Sequence, residues 1–294
     1  MRIANVREFF KTYPDDESCL AHLFDVRFGQ GHKCPKCERE AKWYPLASEK
    51  AYSCQWCGHH IHPMVGTIFE RSRTPLQLWF YAIYLFTTTR HGVSAKELQR
   101  QLGVTYKTAW RMGQMIRKHM AAIDGDDPLG GDGEIVEIDE TYVGGVLPGQ
   151  RGGYRKNKTV VLGMMERDGH IVTKVVADTK ASSLLPEIRE NVEGGATVQT
   201  DTMHSYKALG AMGYDHSTVN HSDGYYVSKS GVTVNSVENF WRHLKCSIKG
   251  THNNVSKKYL ERYAKEFEYR FNRRMTPDAM LGELLTRFPE LSAE

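Results

Sequence analysis

The 294 residues carry 39 Lys and Arg against 35 Asp and Glu, a formal charge of +4, with 40% hydrophobic residues. That excess of base is too small to identify a nucleic-acid partner by itself, and the length suits two or more units because a single core rarely grows past ~250 to 300 residues. Met1 to Phe10 is charged at Arg2, Arg7 and Glu8 and has no apolar core, which excludes a secretory signal, and the longest uncharged run, Thr74 to Thr89, is shorter than the ~20 residues that span a bilayer. A cytoplasmic chain without membrane contact is expected.

Residues 5–28 read as a short helical unit, with an acidic turn at Pro14-Asp-Asp-Glu17 followed by Cys19, Leu20, Leu23 and Phe24 at helical spacing. Cys34-Pro-Lys-Cys37 and Cys54-Gln-Trp-Cys57, sixteen residues apart, then have the spacing of a four-thiolate zinc site. Each C-x-x-C supplies two ligands from one tight turn, and Trp43-Tyr44 and Ala51-Tyr52 read as the arms of a small ribbon. Nothing places the chain in an oxidising compartment, so one structural Zn²⁺ is expected rather than disulfides. His59, His60 and His62 follow closely and read as surface or DNA-facing side chains.

From Pro75 the pattern turns helical. Leu76, Trp79, Phe80, Ile83, Tyr84 and Phe86 cover a wide face, as in a core helix. Ser94-Ala-Lys-Glu97 has the spacing of a capping box opening a helix to Leu102; Gly103-Val104 makes a turn, and Thr105 caps a third helix, Tyr106 to Met120. Helix, glycine turn, helix is the helix-turn-helix arrangement, in which Tyr106, Lys107, Thr108 and Arg111 would reach DNA. Residues 124–133 read as a linker.

Glu134 to Val143 is a short β-like run carrying four carboxylates. Alternation puts Val136 and Ile138 on one face, with Ile135, Glu137 and Asp139 on the other. Acids are depleted in strands and cannot be buried alone, so this run reads either as a solvated edge or as a metal-binding central strand. After it come a five-glycine loop with Arg151, Arg155, Lys156 and Lys158, and a hairpin of Thr159 to Met165 and Ile171 to Val176 with a type I′ turn at Asp168-Gly169. The rest reads as a helix 182–192, a strand ending at Asp201, a helix 204–212, a short strand 217–220 and a helix 235–249. Three strands, helix, strand, helix, strand, helix is the order of a ribonuclease H-like mixed sheet.

In that fold the decisive acids lie on the first strand, at the end of the fourth and on the last helix, where this chain has Asp139, Asp201 and Glu238. Singly, Asp201 reads equally well as a helix cap and Asn235-Ser-Val-Glu238 as a capping box. Jointly they read as ligands for two Mg²⁺ or Mn²⁺ ions. Glu137 and Glu140 remain rivals for the first position.

The runs Glu137-Ile-Asp-Glu-Thr-Tyr-Val-Gly-Gly145, Thr200-Asp201 with Tyr206, Asn235-Ser-Val-Glu-Asn-Phe-Trp-Arg-His-Leu-Lys245 and Glu266-Phe-Glu-Tyr-Arg-Phe-Asn-Arg273 resemble bacterial insertion-sequence transposases of the DDE type, in the subgroup with an N-terminal zinc ribbon. Gly66 to Pro75 and Lys107 to Met112 resemble it too, so the likeness covers about residues 15–274. It implies metal-dependent phosphodiester hydrolysis and strand transfer at insertion-sequence ends, with Asp139, Asp201 and Glu238 as the triad, Lys245 beside the scissile DNA, and a homo-oligomer on terminal inverted repeats and target DNA. Arg151, Arg155, Lys156 and Arg242 join the expected DNA contacts.

The expected fold class is multidomain α+β. Residues 1–33 form a helical segment, 34–66 the ribbon, 67–123 the helix-turn-helix unit, 124–133 a linker, 134–255 the ribonuclease H-like domain and 256–294 C-terminal helices. In the last stretch Tyr259, Tyr263, Phe267 and Phe271 would form an apolar face, with Lys257, Lys258 and Arg262 outward. The alternatives are a non-catalytic DNA-binding regulator derived from a transposase and a structure-specific nuclease of the same fold.

Overall fold

The structure, a computed structural model, describes residue 3 and residues 5–125, 127–144, 158–219 and 233–289. The chain divides into two compact units, residues 1–123 with 275–294 and residues 124–274. Among the described residues no helix is long and apolar enough to cross a membrane.

In the first unit, Asn5 caps α1 (Val6–Thr12) and Asp15 caps α2 (Asp16–Arg27), where Asp15 and Ser18 satisfy each other's backbone N–H groups. The acidic turn read at Pro14 to Glu17 is thus a helix start. The ribbon is a three-stranded antiparallel sheet, β1 (Trp43–Pro45), β2 (Tyr52–Cys54) and β3 (His60–Ile61), in that order. Tyr52 stacks on Phe24 with ring centroids 4.0 Å apart, anchoring the ribbon to α2. The helix α3 (Leu76–Thr88) buries Leu76, Trp79, Phe80, Ala82, Ile83 and Phe86, as its apolar girth requires.

Next come α4 (Ala95–Leu102), a turn through Gly103 at φ 64, and α5 (Tyr106–Asp124), which runs past the expected end at Met120. Ser94 Oγ accepts from Glu97 N at 3.1 Å, but the Glu97 carboxylate turns forward to Gln101 and Arg100, so only half of the expected box forms. Thr105 Oγ1 accepts from Thr108 N at 3.2 Å and caps α5 as expected.

The second unit is a mixed five-stranded sheet of β4 (Ile135–Val143), β5 (Thr159–Glu166), β6 (Ile171–Val176), β7 (Thr197–Asp201) and β8 (Asp215–Val219), in the order β6-β5-β4-β7-β8. The first three strands are antiparallel neighbours; β4, β7 and β8 run parallel. This is the ribonuclease H-like topology, and the acid-bearing strand is its centre rather than a solvated edge. On one face α6 (Ala181–Asn191) packs over Val136, Ile138, Leu162 and Val198; on the other, α7 (Asn235–Ser247) and α8 (Leu260–Asn272) cover Val143, Val161 and Met165. Sandwiched between both layers, β5 is buried over seven consecutive residues, the pattern of a strand covered on both faces.

Three readings of this unit are corrected. The hairpin turn is not type I′: of Asp168 and Gly169 only Asp168 takes a left-handed φ (61°), and the chain closes through Gly169 N on Glu166 O (3.0 Å) and Glu166 N on His170 O (2.9 Å). Residues 204–212 form two single 3-10 turns, His204–Tyr206 and Gly210–Met212, with glycines at 210 and 213 discouraging a continuous helix. The α-helix at 235–249 stops at Ser247 and widens into a π turn, Ile248–His252.

The basic helix α8 is buried on more than its apolar stripe. Lys265, Glu266 and Glu268 are buried and paired, Lys265 Nζ with Glu268 at 2.7 Å and Glu266 with Arg270 at 3.0 Å. Burial pushes the Glu268 carboxyl up to about 7 against the pull of Lys265 and Thr173. Glu268 accepts from Thr173 N (2.7 Å), and Asn272 exchanges hydrogen bonds with Ile171 N (2.9 Å) and Ile171 O (3.1 Å). Side chains of α8 thereby occupy the open edge of β6, which would otherwise present unpaired backbone. The last helix, α9 (Met280–Thr286), belongs to the first unit, where His22 and His119 each place Nε2 2.9 Å from the carbonyls of Leu285 and Leu284. Burial holds His119 down at about 4, so it stays neutral.

Candidate active site

Strand β4 sends alternate side chains to opposite faces, so Glu137 and Asp139 point one way and Glu140 the other. Fully buried Glu137 accepts from Arg167 Nη2 (3.0 Å), Ser236 N (2.9 Å) and Ser236 Oγ (3.2 Å). It therefore caps α7 from outside, and Arg167 passes on to Gln199 Oε1 of β7 at 2.8 Å. Glu140 accepts from the buried Tyr206 hydroxyl at 2.8 Å. Each rival for the first position thus has a structural partner set.

Asp139 is placed differently. Its Oδ2 accepts from Trp241 Nε1 at 3.1 Å, three residues along α7 from Glu238. Burial first, then the charges of Glu140, Asp201 and Glu238, push its carboxyl up to about 7. Asp139 thus feels the charges of both other acids. Asp201 ends β7, where its Oδ1 accepts from Met203 N at 2.9 Å. This is a local turn bond at the C-terminal end of an interior strand. Glu238 lies in the first turn of α7, and no side-chain capping bond forms at that helix's N-cap, Val234.

The three carboxylates converge without closing. Among the described residues, only Cys34, Cys37, Cys54 and Cys57 bring three or more metal-ligand atoms within 4.8 Å of one another. Asp139, Asp201 and Glu238 therefore do not all fall within that span of one another. Hard oxygen donors whose mutual repulsion already raises one pKa suit divalent cations such as Mg²⁺ or Mn²⁺, which would relieve that repulsion. Lys245 follows on the same helix. Its ammonium pKa is lowered by partial desolvation and by Lys158, while Asp139 opposes the shift.

Two residues of this site escape motif reading. Trp241 lies within the Asn235 to Lys245 motif, but its role appears only once α7 lies on β4. Gly163 pairs with Asp139 across the β4–β5 ladder, and a methyl there would come within 2.5 Å of Trp241 Cζ2. A glycine inside a strand signals such a close approach.

The cysteine quartet can hold one zinc, with Cys34 and Cys54 buried and Cys37 and Cys57 partly so. His59, His60 and His62 stay out of that group; His60 Nδ1 lies 3.7 Å from Glu49. On α5, Tyr106, Lys107 and Arg111 are exposed, with Lys96 Nζ 4.9 Å from the Tyr106 ring centre. Thr108 is half-buried and its hydroxyl sits 3.0 Å from that of Thr105, within the cap. Arg242 is exposed and bonds Asn239 at 3.0 Å. Arg151, Arg155 and Lys156 lie outside the described residues.

The family model of the ISXO2-like transposase domain matches residues 128–272, and that of the transposase zinc-ribbon domain matches residues 14–60. A Haemophilus influenzae "uncharacterized transposase-like protein" is 36% identical over 102 residues, 35% of this chain and 80% of that one. A Halobacterium salinarum "uncharacterized protein in transposable element ISH50" is 28% identical over 284 residues, 88% of this chain and 92% of that one. Among solved structures, a Mos1 transposase paired-end complex with left transposon end aligns over 71% of this chain and 79% of that chain at 12% identity, with a TM-score of 0.22.

Proposed function

Because the chain belongs to the ISXO2-like transposase family, we propose that it cuts and joins DNA at the ends of an insertion sequence, using Asp139, Asp201 and Glu238. What supports this reading is the position of Asp139 on the central strand, bonded by Trp241 from the helix that carries Glu238, where burial and then the charges of Glu140, Asp201 and Glu238 raise its pKa. Such a trio would hold two Mg²⁺ or Mn²⁺ ions. Ions bound there would supply activation of a water or 3′-hydroxyl nucleophile and charge stabilisation for the leaving oxygen.

The chain's own residues do the remaining work. Trp241 fixes one oxygen of Asp139, while Gly163 makes room for the indole. Glu137 ties the start of α7, and hence Glu238, to β4. Lys245 orients or neutralises a phosphate beside Asp139. In the first unit, Tyr106 and Lys107 meet base edges from the start of α5, and Arg111, one turn on, adds a further DNA contact. Arg151, Arg155, Lys156 and Arg242 add contacts to the backbone. The zinc-bound ribbon is structural, and the protein works in the cytoplasm as a homo-oligomer on paired DNA ends.

The test is Mg²⁺-dependent cleavage and joining of labelled DNA carrying the element's own terminal repeats, by the native chain and by Glu238→Gln. Joined product from the native chain alone is expected. Binding without cutting by both proteins would move a non-catalytic regulator ahead, and cutting that ignores the terminal sequence would favour a structure-specific nuclease.

A further inference from the structure

The Gly66 to Pro75 motif lies beyond the zinc-ribbon match and ahead of the transposase-domain match, and the active site does not use it. Within the first unit it forms a turn tightly pinned from beneath. Ile68 and Phe69 are buried, with the Phe69 ring 5.7 Å from Trp79 and 5.6 Å from Phe80. Thr67 Oγ1 donates to Met64 O and accepts from Phe69 N, and Ser72 Oγ accepts from Trp79 Nε1 at 2.8 Å. Arg71 stands at the outer side of this turn with φ 55 and a side chain 90% exposed.

The turn faces α5 across a groove of about 540 Å³. Arg71 lines one wall; Arg111, Met115 and Lys118 line the other, spaced i, i+4 and i+7 on one face of the helix. Glu70 is the only acid among the lining residues. Its carboxylate is taken up by the turn itself, accepting from Gly66 N at 2.8 Å and lying 3.3 Å from Arg71 Nε. With three cations and one carboxylate in the lining, the groove keeps a net positive charge suited to a polyanion even with Arg71 paired to Glu70. It begins at Arg111, where the base-reading end of α5 stops.

We propose that this groove seats a stretch of sugar-phosphate backbone of the DNA duplex that α5 reads, with Arg71, Arg111 and Lys118 as phosphate contacts. The proposal rests on the reading of the first unit as DNA-binding. It assigns the Gly66 to Pro75 turn the task of holding Arg71 opposite α5. A left-handed φ is unfavourable for arginine and natural for glycine, so Arg71→Gly removes the charge while easing the backbone. A loss of binding in that variant cannot be put down to a strained turn.

The experiment is fluorescence anisotropy of a labelled mixed-sequence duplex with the zinc-loaded full chain, between about 50 and 200 mM salt. The triple variant Arg71→Gly, Arg111→Ala, Lys118→Ala is compared with Arg7→Ala, Lys11→Ala, Arg287→Ala, which removes the same charge from other exposed positions of the unit. Zinc content and melting temperature of each variant serve as folding controls. Each lost phosphate contact lowers the slope of log K against log salt by about 0.9, so the groove variant should be shallower by about 2 to 3. Its affinity near 0.15 M salt should fall roughly ten- to a hundredfold, equally for every sequence, because phosphate contacts carry no base information. A native slope in the groove variant, or an equal fall in the control variant, overturns the proposal while DNA binding stands. A native chain that binds no duplex overturns both.

Discussion

The cysteine quartet of the first unit and the carboxylate trio of the second are built by opposite routes. Four thiols arrive as two C-x-x-C turns, and their sulfurs lie within 4.8 Å of one another. Three acids arrive from β4, β7 and α7, with sixty-one residues between Asp139 and Asp201, and Asp139 is held buried and near the other two charges despite the cost of both. A closed thiolate site suits an ion that holds the chain together; an open carboxylate site suits ions that must also meet substrate. The first is part of folding, whereas the second is a local strain that folding tolerates.

The largest effect expected from this contrast is on the first unit. Stripping zinc, or making Cys37→Ser, should unfold the ribbon, because a structural zinc contributes on the order of 10 kcal/mol in so small a unit. Far-UV circular dichroism with and without chelator should register that loss while the melting transition of residues 124–274 persists. A shared, simultaneous transition would break the contrast.

The carboxylate site should answer in the other direction. Asp139 sits at about 7 in the folded chain against 3.8 as an ordinary aspartate. Folding raises this pKa, so the group costs nothing below about pH 3.8, and stability falls as pH rises toward 7, by roughly 2 to 4 kcal/mol in all. Asp139→Asn should therefore melt several degrees higher than the native chain at pH 8 in chelator while losing all strand cleavage. Added Mg²⁺ should raise the native melting point and leave that of the variant alone. A variant that melts lower in chelator would show that repulsion at this site is negligible.

Trp241→Phe keeps the ring and removes the N–H, and apparent Mg²⁺ affinity should weaken about 10- to 100-fold, as for other groups that orient a metal ligand. Gly163→Ala tests the same contact by overcrowding, with a cost of about 1 to 3 kcal/mol in urea unfolding because the new methyl meets the indole at 2.5 Å. Smallest is Asn272→Ala, which uncovers the Ile171 backbone at the edge of β6 for about 1 to 2 kcal/mol and should leave metal binding intact.

The sequence shows these sites unequally, for physical reasons. The quartet is local, so its spacing alone reveals it. The helices α3, α4 and α5 and the strand order follow from apolar periodicity and caps. Alternation puts Glu137 and Asp139 on the same face and cannot separate them; only the arrival of Ser236 at one and Trp241 at the other does so. The buried pairs of α8 are hidden because the aromatic stripe of Tyr259, Tyr263, Phe267 and Phe271 says nothing of Lys265 and Glu268 until β6 lies beside them. Residues 256–294 read as one C-terminal stretch, yet α8 completes the sheet of the second unit while α9 belongs to the first. Tertiary contacts between segments distant in the chain carry that division, and no local pattern encodes it.

The most direct measurement is a calorimetric titration of Mn²⁺ into the zinc-loaded chain and into its Asp139→Asn variant, with zinc content assayed before and after. The account predicts Mn²⁺ uptake by the native chain, loss of that uptake in the variant, and unchanged zinc in both. Equal uptake by the two proteins, or Mn²⁺ entering only as zinc leaves, would contradict it.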